Sequence, residues 1–171
     1  MWYYRYFCGQ TCRIADKNNE MTEPKYQIEY KPFAKLTPYE LYAIIRLRNE
    51  VFVVEQNCVF QDADNKDPDC HHLMIWDNEN LVAYSRLLYP GLAYEYMSIG
   101  RVISSPAYRG SGAGKLLMER SIEACRELFG EGPIQIGAQL YLKKFYESLG
   151  FVQISDIYLE DNIQHILMRR N

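Results

Sequence analysis

The chain has 171 residues and a formal net charge of −3 at pH 7, with 48% hydrophobic and 24% charged residues. This length and composition indicate one compact globular domain and exclude fibrous and wholly disordered classes. The charge offers no basic field for a phosphate backbone, so we expect no nucleic-acid partner. The apolar runs are far shorter than the roughly 20 residues of a membrane span, and the N-terminal residues lack the apolar core of a signal peptide. We therefore expect a cytoplasmic protein with no membrane partner.

The predicted elements begin after an aromatic, non-periodic segment, residues 1–25, which we interpret as an appendage to a domain over residues 26–171. Thr37 and Glu40 form a capping box with Pro at the first helical position, which predicts the start of a helix. Apolar residues on one face and charged residues on the other predict the clearest amphipathic helix at 112–129. The other predictions are strands at 26–30, 72–76, 81–89, 97–104, 134–138, 151–157 and 163–168, helices at 38–52 and 140–149, and a loop at 61–70. This order predicts a mixed α/β domain.

A glycine-rich stretch from Val102 to Lys115 leads from a predicted strand directly into the amphipathic helix. Glycines let the backbone approach a phosphate closely, and the unpaired N–H groups and dipole of a first helical turn attract an anion. Arg109 and Lys115 are the only charged residues between positions 106 and 118. The stretch therefore predicts an anion site, with a tight turn that needs glycine for its geometry as the alternative. Its spacing fits neither the dinucleotide-binding fingerprint nor the nucleotide P-loop.

The run Arg109-Gly110-Ser111-Gly112-Ala113-Gly114 matches the Gln/Arg-x-x-Gly-x-Gly/Ala pattern of the pyrophosphate loop in the GNAT family of N-acetyltransferases. The continuation resembles this family too, because a predicted short strand is followed by a helix with Phe145-Tyr146 and then by Gly150-Phe151. Further residues resemble the ElaA-like branch of the family: Arg48, the run from Val51 to Cys58, the segment from Tyr84 to Leu87, and Gly100-Arg101-Val102. The resemblance implies an α/β fold with a mixed central β-sheet flanked by helices on both faces.

By this resemblance, acetyl-CoA is the co-substrate and its acetyl group passes directly to a primary amine. Backbone groups of Val102 and Ser104 would hold the thioester, and Gln139 would reach the cofactor arm. Tyr146 would donate a proton to the departing thiolate, the alternative being an aromatic side chain packed beside Phe145. The pyrophosphate would be held by Arg109, Gly110, Ser111, Gly112, Ala113, Gly114 and Lys115.

The residues of this sequence leave the general base open. A lysine-like amine with a pKa of about 10.4 is free base in roughly one molecule in 2,500 at pH 7, a cost of about 4.6 kcal/mol. Many family members use a carboxylate on the fourth strand, but residues 98–105 contain none. Glu55 and His72 are the candidates, acting directly or through water; the alternatives are a solvated carboxylate and a hydrogen-bonded core histidine. Because no base is assigned, a second hypothesis is a module that binds CoA without turnover and acts through a protein partner.

Two arginines, Arg86 and Arg101, lie within otherwise apolar strands, where an unpaired charge is costly. They predict either a pocket that binds an acidic group of the acceptor or ion pairs with carboxylates such as Glu55. Residues 49–70 carry six acids and one base, so this segment could attract a cationic amine or form a solvated loop. The acceptor, a small molecule or a peptide, stays unidentified, and the oligomeric state, including a homodimer, stays open.

The cysteine and histidine patterns favour neither disulfides nor metal. The five irregularly spaced cysteines predict free thiols, since a chain of this size builds its own core. Asp62-x-Asp64 begins like a calcium loop, but Lys66 occupies the third ligand position and no glycine follows. Cys70-His71-His72 lacks a second ligand pair at zinc spacing. We therefore expect no metal site.

Overall fold

A computed structural model describes residues 25–171, whose strands form one mixed sheet. The strands are β1 Gln27–Pro32, β2 His71–Asp77, β3 Asn80–Leu88, β4 Met97–Ser104, β5 Ile134–Gln139, β6 Val152–Gln153, β7 Tyr158–Glu160 and β8 Ile163–Arg170. Their spatial order is β1-β2-β3-β4-β5-β8-β6, and β7 pairs with β8. Neighbouring strands are antiparallel except β4 and β5, which run parallel. The predicted mixed sheet is confirmed; residues 1–24 of the predicted appendage lie outside the described residues.

Three α-helices accompany the sheet in this part of the chain: α1 Pro38–Arg48, α2 Ala113–Phe129 and α3 Lys143–Glu147. The capping box of α1 is present, because the Glu40 amide donates to Thr37 Oγ1 and the Glu40 carboxylate accepts from the Thr37 amide. The predicted helix continues past α1 as a π-helical segment, Asn49–Glu55, in which the backbone widens by one residue per turn. No helix within residues 25–171 is long and apolar enough to cross a membrane.

The helices cover both faces of the sheet, and each face has its own apolar core. Along β2, Leu73 and Ile75 pack in the core that contains α2 and α3, whereas Met74 packs in the core that contains α1. This alternation follows from the two-residue repeat of side chains along a strand. Because both of its faces are covered, β3 is buried from Leu81 to Leu88. The helices expected on both faces of the sheet are therefore confirmed.

The C-terminal region differs most from its prediction. The strand expected at 151–157 is reduced to β6, and the chain then forms β7, which pairs with β8 through a hairpin. Asp161 and Asn162 make its two-residue turn with φ of 50° and 64°, the left-handed conformation that Asn and Asp adopt most readily after glycine. The helix expected at 140–149 divides into a 3₁₀ turn, Leu140–Leu142, and α3.

Candidate active site

Strands β4 and β5 separate along their length, which opens a cleft in the middle of the sheet. Their register runs only through Met97 opposite Ile134 and Ser98 opposite Gln135, at the start of both strands. On its other side, β4 changes register against β3 between Tyr84 and Arg86, and Arg101 there has a φ of 51°. This bulge bends β4 away from β5. The later half of β4, with Val102 and Ser104, therefore presents a backbone edge that is not paired with β5.

The glycine-rich turn lies where β4 leads into α2. Gly110 and Gly112 have φ of 76° and 86°, a conformation that favours glycine. Among residues 25–171, no acceptor bonds the amides of Gly110, Gly112, Gly114 or Lys115. A Cβ added to any of these three glycines would meet nothing within 4 Å. Free N–H donors, open space and the positive end of a 17-residue helix make this turn suited to a diphosphate.

The remaining residues of this turn have different surroundings. Ser111 Oγ donates to the Tyr108 carbonyl, and the Ala113 side chain is buried in the core. Lys115 is exposed, with its Nζ 3.8 Å from the Glu119 carboxylate. The turn therefore offers its backbone amides and the Lys115 charge to an anion, rather than the side chains of Ser111 or Ala113.

A salt bridge connects this turn to the end of the π-helical segment. Arg109 Nη1 and Nη2 donate to the two Glu55 carboxylate oxygens at 2.8 and 2.7 Å. The hydrogen bond from Arg109 lowers the pKa of Glu55. The Glu55 carboxylate is therefore ionised and already paired with Arg109. Both side chains are close to half-exposed. The role of Glu55 as a base stays a prediction.

Tyr146 lies on α3 and is 5% exposed. Its ring packs edge-on against Phe145 and Phe151, with centroids 5.1 and 6.0 Å away. Burial raises the pKa of Tyr146, and its hydroxyl bonds none of residues 25–171. The side chain is therefore a packed aromatic with a protonated hydroxyl left free, which is compatible with its predicted role.

An ion-pair cluster holds the segment 61–70 against the sheet. It joins Arg48, Arg86 and Arg101 to Asp62, Asp64 and Asp67. The fully buried Arg48 donates to Asp62 at 2.7 Å and to Asp67 at 2.8 Å, and Arg86 makes a two-point pair with Asp64 at 2.6 and 2.8 Å. The expectation of a solvated acidic loop is therefore wrong, because these carboxylates are neutralised by arginines of the same domain.

This cluster also bears on the predicted acceptor pocket. Arg86 and Arg101 do pair with carboxylates, but not with Glu55, which binds Arg109 instead. Arg86 is 3% exposed, so its guanidinium is committed to the cluster. One quarter of the Arg101 side chain is exposed. Acceptor binding by these arginines stays a prediction, and the geometry favours only Arg101.

His72 lies in the same buried region. Its Nε2 donates to the Asp67 carbonyl at 3.0 Å, so Nδ1 accepts from the Tyr84 hydroxyl at 2.8 Å. Burial lowers the pKa of His72, which is 1% exposed. His72 is therefore a hydrogen-bonded core histidine. The predicted role as a base is untested, and a ring with both nitrogens occupied argues against it.

A small cavity of about 90 Å³ opens beside the cleft. The π-helical segment contributes Phe52 and the residue that follows it is Gln56, while β4 contributes Arg101, β5 contributes Gln139, and β8 contributes His165. Gln139 Nε2 donates to Gln56 Oε1 at 3.3 Å, so the residue expected to reach the cofactor arm lies at the cavity wall. Sequence reasoning missed His165, because only the pairing register of β8 with β5 brings it there.

The sequence predicts free thiols and no metal site, and most of the side chains concerned lie outside this cavity. Cys58, Cys70 and Cys125 are unpaired thiols, while Cys8 and Cys12 lie outside the described residues. No group of three or more His, Cys, Asp or Glu side chains within residues 25–171 is arranged to hold a metal ion.

Comparison with known proteins gives consistent matches. A family model described as "Acetyltransferase (GNAT) domain" matches residues 40–171. Protein ElaA of Escherichia coli K12 is 44% identical over 139 residues, covering 80% of this chain and 91% of that protein. A crystal structure of an acyl-CoA N-acyltransferase from Pseudomonas aeruginosa has a TM-score of 0.82 and 47% identity, covering 85% of this chain and 99% of that one. The crystal structure of Escherichia coli ElaA has a TM-score of 0.80 and 40% identity, with the same coverage.

Proposed function

Because the chain belongs to the GNAT acetyltransferase family, in its ElaA-like branch, and acyl transfer from an acyl-CoA is its reaction class, we propose that it transfers an acetyl group from acetyl-CoA directly to a primary amine. One observation carries the proposal. The cleft between β4 and β5 opens beside a turn with four free backbone amides. A donor with a diphosphate at one end and a thioester at the other fits that arrangement.

Each part of the donor has a place in this proposal. The amides of Gly110, Gly112 and Gly114 bind the diphosphate, since they have no acceptor among residues 25–171 and lie at a helix N-terminus. The unpaired edge of β4 at Val102 and Ser104 binds the amide-containing arm and presents the thioester to the cleft. The acceptor amine approaches through the cavity beside the cleft.

Tyr146 completes the reaction as a hydrogen-bond donor to the leaving sulfur. Reference pKa values near 10 for a phenol and 8.5 for a thiol make full proton transfer uphill by about 2 kcal/mol. Burial of Tyr146 adds to that cost but also keeps the hydroxyl protonated. The hydroxyl therefore helps most when it is within hydrogen-bond distance of the sulfur as charge develops.

The test is thiol release from acetyl-, butyryl- and decanoyl-CoA by the full chain with 1,4-diaminobutane, lysine amide and a tripeptide with a free N-terminus. We expect acetyl-CoA to be the best donor and the product to be an N-acetyl amine. Preference for decanoyl-CoA would contradict the acetyl assignment. CoA binding without thiol release from any donor would support the non-catalytic module instead.

A further inference from the structure

We infer that His165 is the general base that accepts the proton of the acceptor amine. The inference rests on the proposed amine acetylation and adds the residue that the sequence left open. It is carried by the position of His165 in the sheet, by the hydrogen bond of one ring nitrogen, and by the engagement of the other candidate bases.

The sheet places His165 at the cavity beside the cleft. It lies opposite Gln139, the last residue of β5. Its neighbours Ile166 and Met168 are fully buried, Ile166 pointing to the α2 core, so the alternation of the strand turns His165 to the opposite face. That face holds α1 and the cavity, whose wall includes His165. The imidazole therefore lines the cavity through which, in the proposed function, the amine reaches the thioester.

One hydrogen bond determines which ring nitrogen is available. Nδ1 of His165 lies 2.9 Å from the Ile163 carbonyl oxygen. Because a carbonyl oxygen only accepts, Nδ1 carries the hydrogen and Nε2 carries the lone pair. Nε2 has no partner among residues 25–171, and the ring stacks on Tyr158 with centroids 5.9 Å apart. The imidazole is thus oriented with a proton-accepting nitrogen left free.

The other candidate bases are occupied. Glu55 binds Arg109 through both oxygens, and both nitrogens of His72 are hydrogen-bonded in the core. At the cavity, the charged or titratable neighbours of His165 are Cys58 from the loop after the π-helical segment, Arg101 from β4, and Tyr158, Glu160 and Asp161 from the adjacent hairpin. The two carboxylates among them attract a cationic amine.

In the proposed reaction each proton has a donor and an acceptor. Nε2 of His165 takes one proton from the ammonium form of the acceptor, and the freed amine nitrogen attacks the thioester carbonyl carbon. The carbon–sulfur bond breaks with its electron pair on sulfur, which takes a proton from the Tyr146 hydroxyl. The amide nitrogen gives up its second proton, which returns to Tyr146 through water, and the imidazolium releases its proton to solvent. One amide, one thiol and one proton result.

The test compares His165→Gln with Gln164→Ala, a control at an exposed position next to it on β8. With 1,4-diaminobutane, lysine amide and the tripeptide as acceptors, we expect His165→Gln to lower kcat/KM by about 100-fold or more. Acetyl-CoA affinity, measured by calorimetry, should stay unchanged. In His165→Ala, whose short side chain leaves room for the ring, added imidazole should restore part of the lost rate, which a merely structural role would not allow. Gln164→Ala should behave as wild type.

The outcomes separate the two proposals. Wild-type turnover with an equally active His165→Gln variant overturns the inference and leaves the proposed function intact, as does a loss of rate in His165→Ala that imidazole does not restore. No acetylation of any amine by the wild type overturns both. A measurement without substitution is the ¹H–¹⁵N spectrum of the side chains of His71, His72 and His165. A hydrogen on Nε2 of neutral His165, instead of Nδ1, would contradict the inference.

Discussion

At the scale of single residues, Arg48 shows how a buried charge is held in this protein. Its guanidinium is fully buried and reaches two carboxylates and the Asp62 carbonyl oxygen. Taking a guanidinium out of water is costly, so the side chain is stable there only with these partners. Through these contacts Arg48 fixes the position of the segment 61–70, which in turn holds Arg101 at the cavity.

Replacing Arg48 with Met should therefore destabilise the fold strongly. The substitution takes one of two arginine partners from each of the buried Asp62 and Asp67, which keep only Arg101 and Arg86 respectively, and we expect a loss of about 3–5 kcal/mol in the free energy of unfolding. Urea unfolding measures it. Arg46→Met, at an exposed position of the same helix, is the control and should change little. Equal stability of the two variants would show that the buried cluster does not depend on Arg48.

Tyr146→Phe should separate packing from chemistry. The ring contacts with Phe145 and Phe151 are kept, and only the hydroxyl is lost. We expect kcat to fall by about 100-fold while acetyl-CoA affinity and stability hold. Tyr141→Phe, at a tyrosine that is 74% exposed, is the matched control in the thiol-release assay. Full activity of Tyr146→Phe would leave the hydroxyl with no catalytic role.

The sequence indicates structure best where the environment of a residue is local. The tight turn at Gly110 and Gly112 is recognisable because consecutive positions determine its conformation, whereas the roles of these glycines and of Arg109 stay predictions. His165 and the partners of Arg86 were not predictable in this way. Asp64 is 22 positions from Arg86, and His165 reaches the cavity only through the register of β8 against β5. Contacts of that kind depend on the sheet order, which a single sequence does not display.

At the scale of elements, the acidic segment 61–70 should make the protein sensitive to acid. Burial alone would raise the pKa of Asp64 and of Asp67, but pairing with Arg86 and Arg48 outweighs it and holds both pKa values below their usual range. A carboxylate with a depressed pKa in the fold adds stability above its unfolded pKa of about 3.9, and this stability is lost as the pH falls below that value.

We therefore expect the free energy of unfolding to decrease as the pH is lowered from 5 to 3. Asp64→Asn should be less stable at pH 6 and should show a smaller decrease, because one of the linked protonation sites is gone. Chemical unfolding at each pH measures this, and Asp156→Asn, at an exposed aspartate outside the cluster, should keep the wild-type slope. The same slope in Asp64→Asn would refute the assignment.

The salt bridge between the π-helical segment and the glycine-rich turn sets a second expectation. Arg109 must leave Glu55 to contact a phosphate, so Glu55→Gln should strengthen acetyl-CoA binding. An exposed pair is worth up to about 1 kcal/mol, which corresponds to about a fivefold change in Kd. Arg109→Gln should weaken binding instead. If Glu55→Gln kept the wild-type affinity but lost turnover, Glu55 rather than His165 would be the base.

At the scale of the whole molecule, the mixed order of strands explains why the site lies in the middle of the sheet. The parallel pair β4 and β5 is held together only at its start, while α2 and α3 on one face and α1 on the other keep the two halves of the sheet in place. The sequence predicted the order of these elements, apart from the hairpin of β7 and β8. It did not predict the separation of the strands, which results from the bulge at Arg101.

The central claim is that the glycine-rich turn beside this cleft binds the diphosphate of acetyl-CoA, and calorimetry of acetyl-CoA with Gly114→Trp tests it most directly. Gly114 has no positive φ and no neighbour within 4 Å of an added Cβ, so the new side chain fills the ligand space without backbone strain. Gly91→Trp is the control, because Gly91 is equally open and lies in a distant turn. Its φ of 94° makes Gly91→Trp the more strained substitution, so retained binding there shows that strain alone does not abolish binding. We predict binding by the wild type and Gly91→Trp and none by Gly114→Trp. Unchanged affinity in Gly114→Trp, or no binding by the wild type, would contradict the claim.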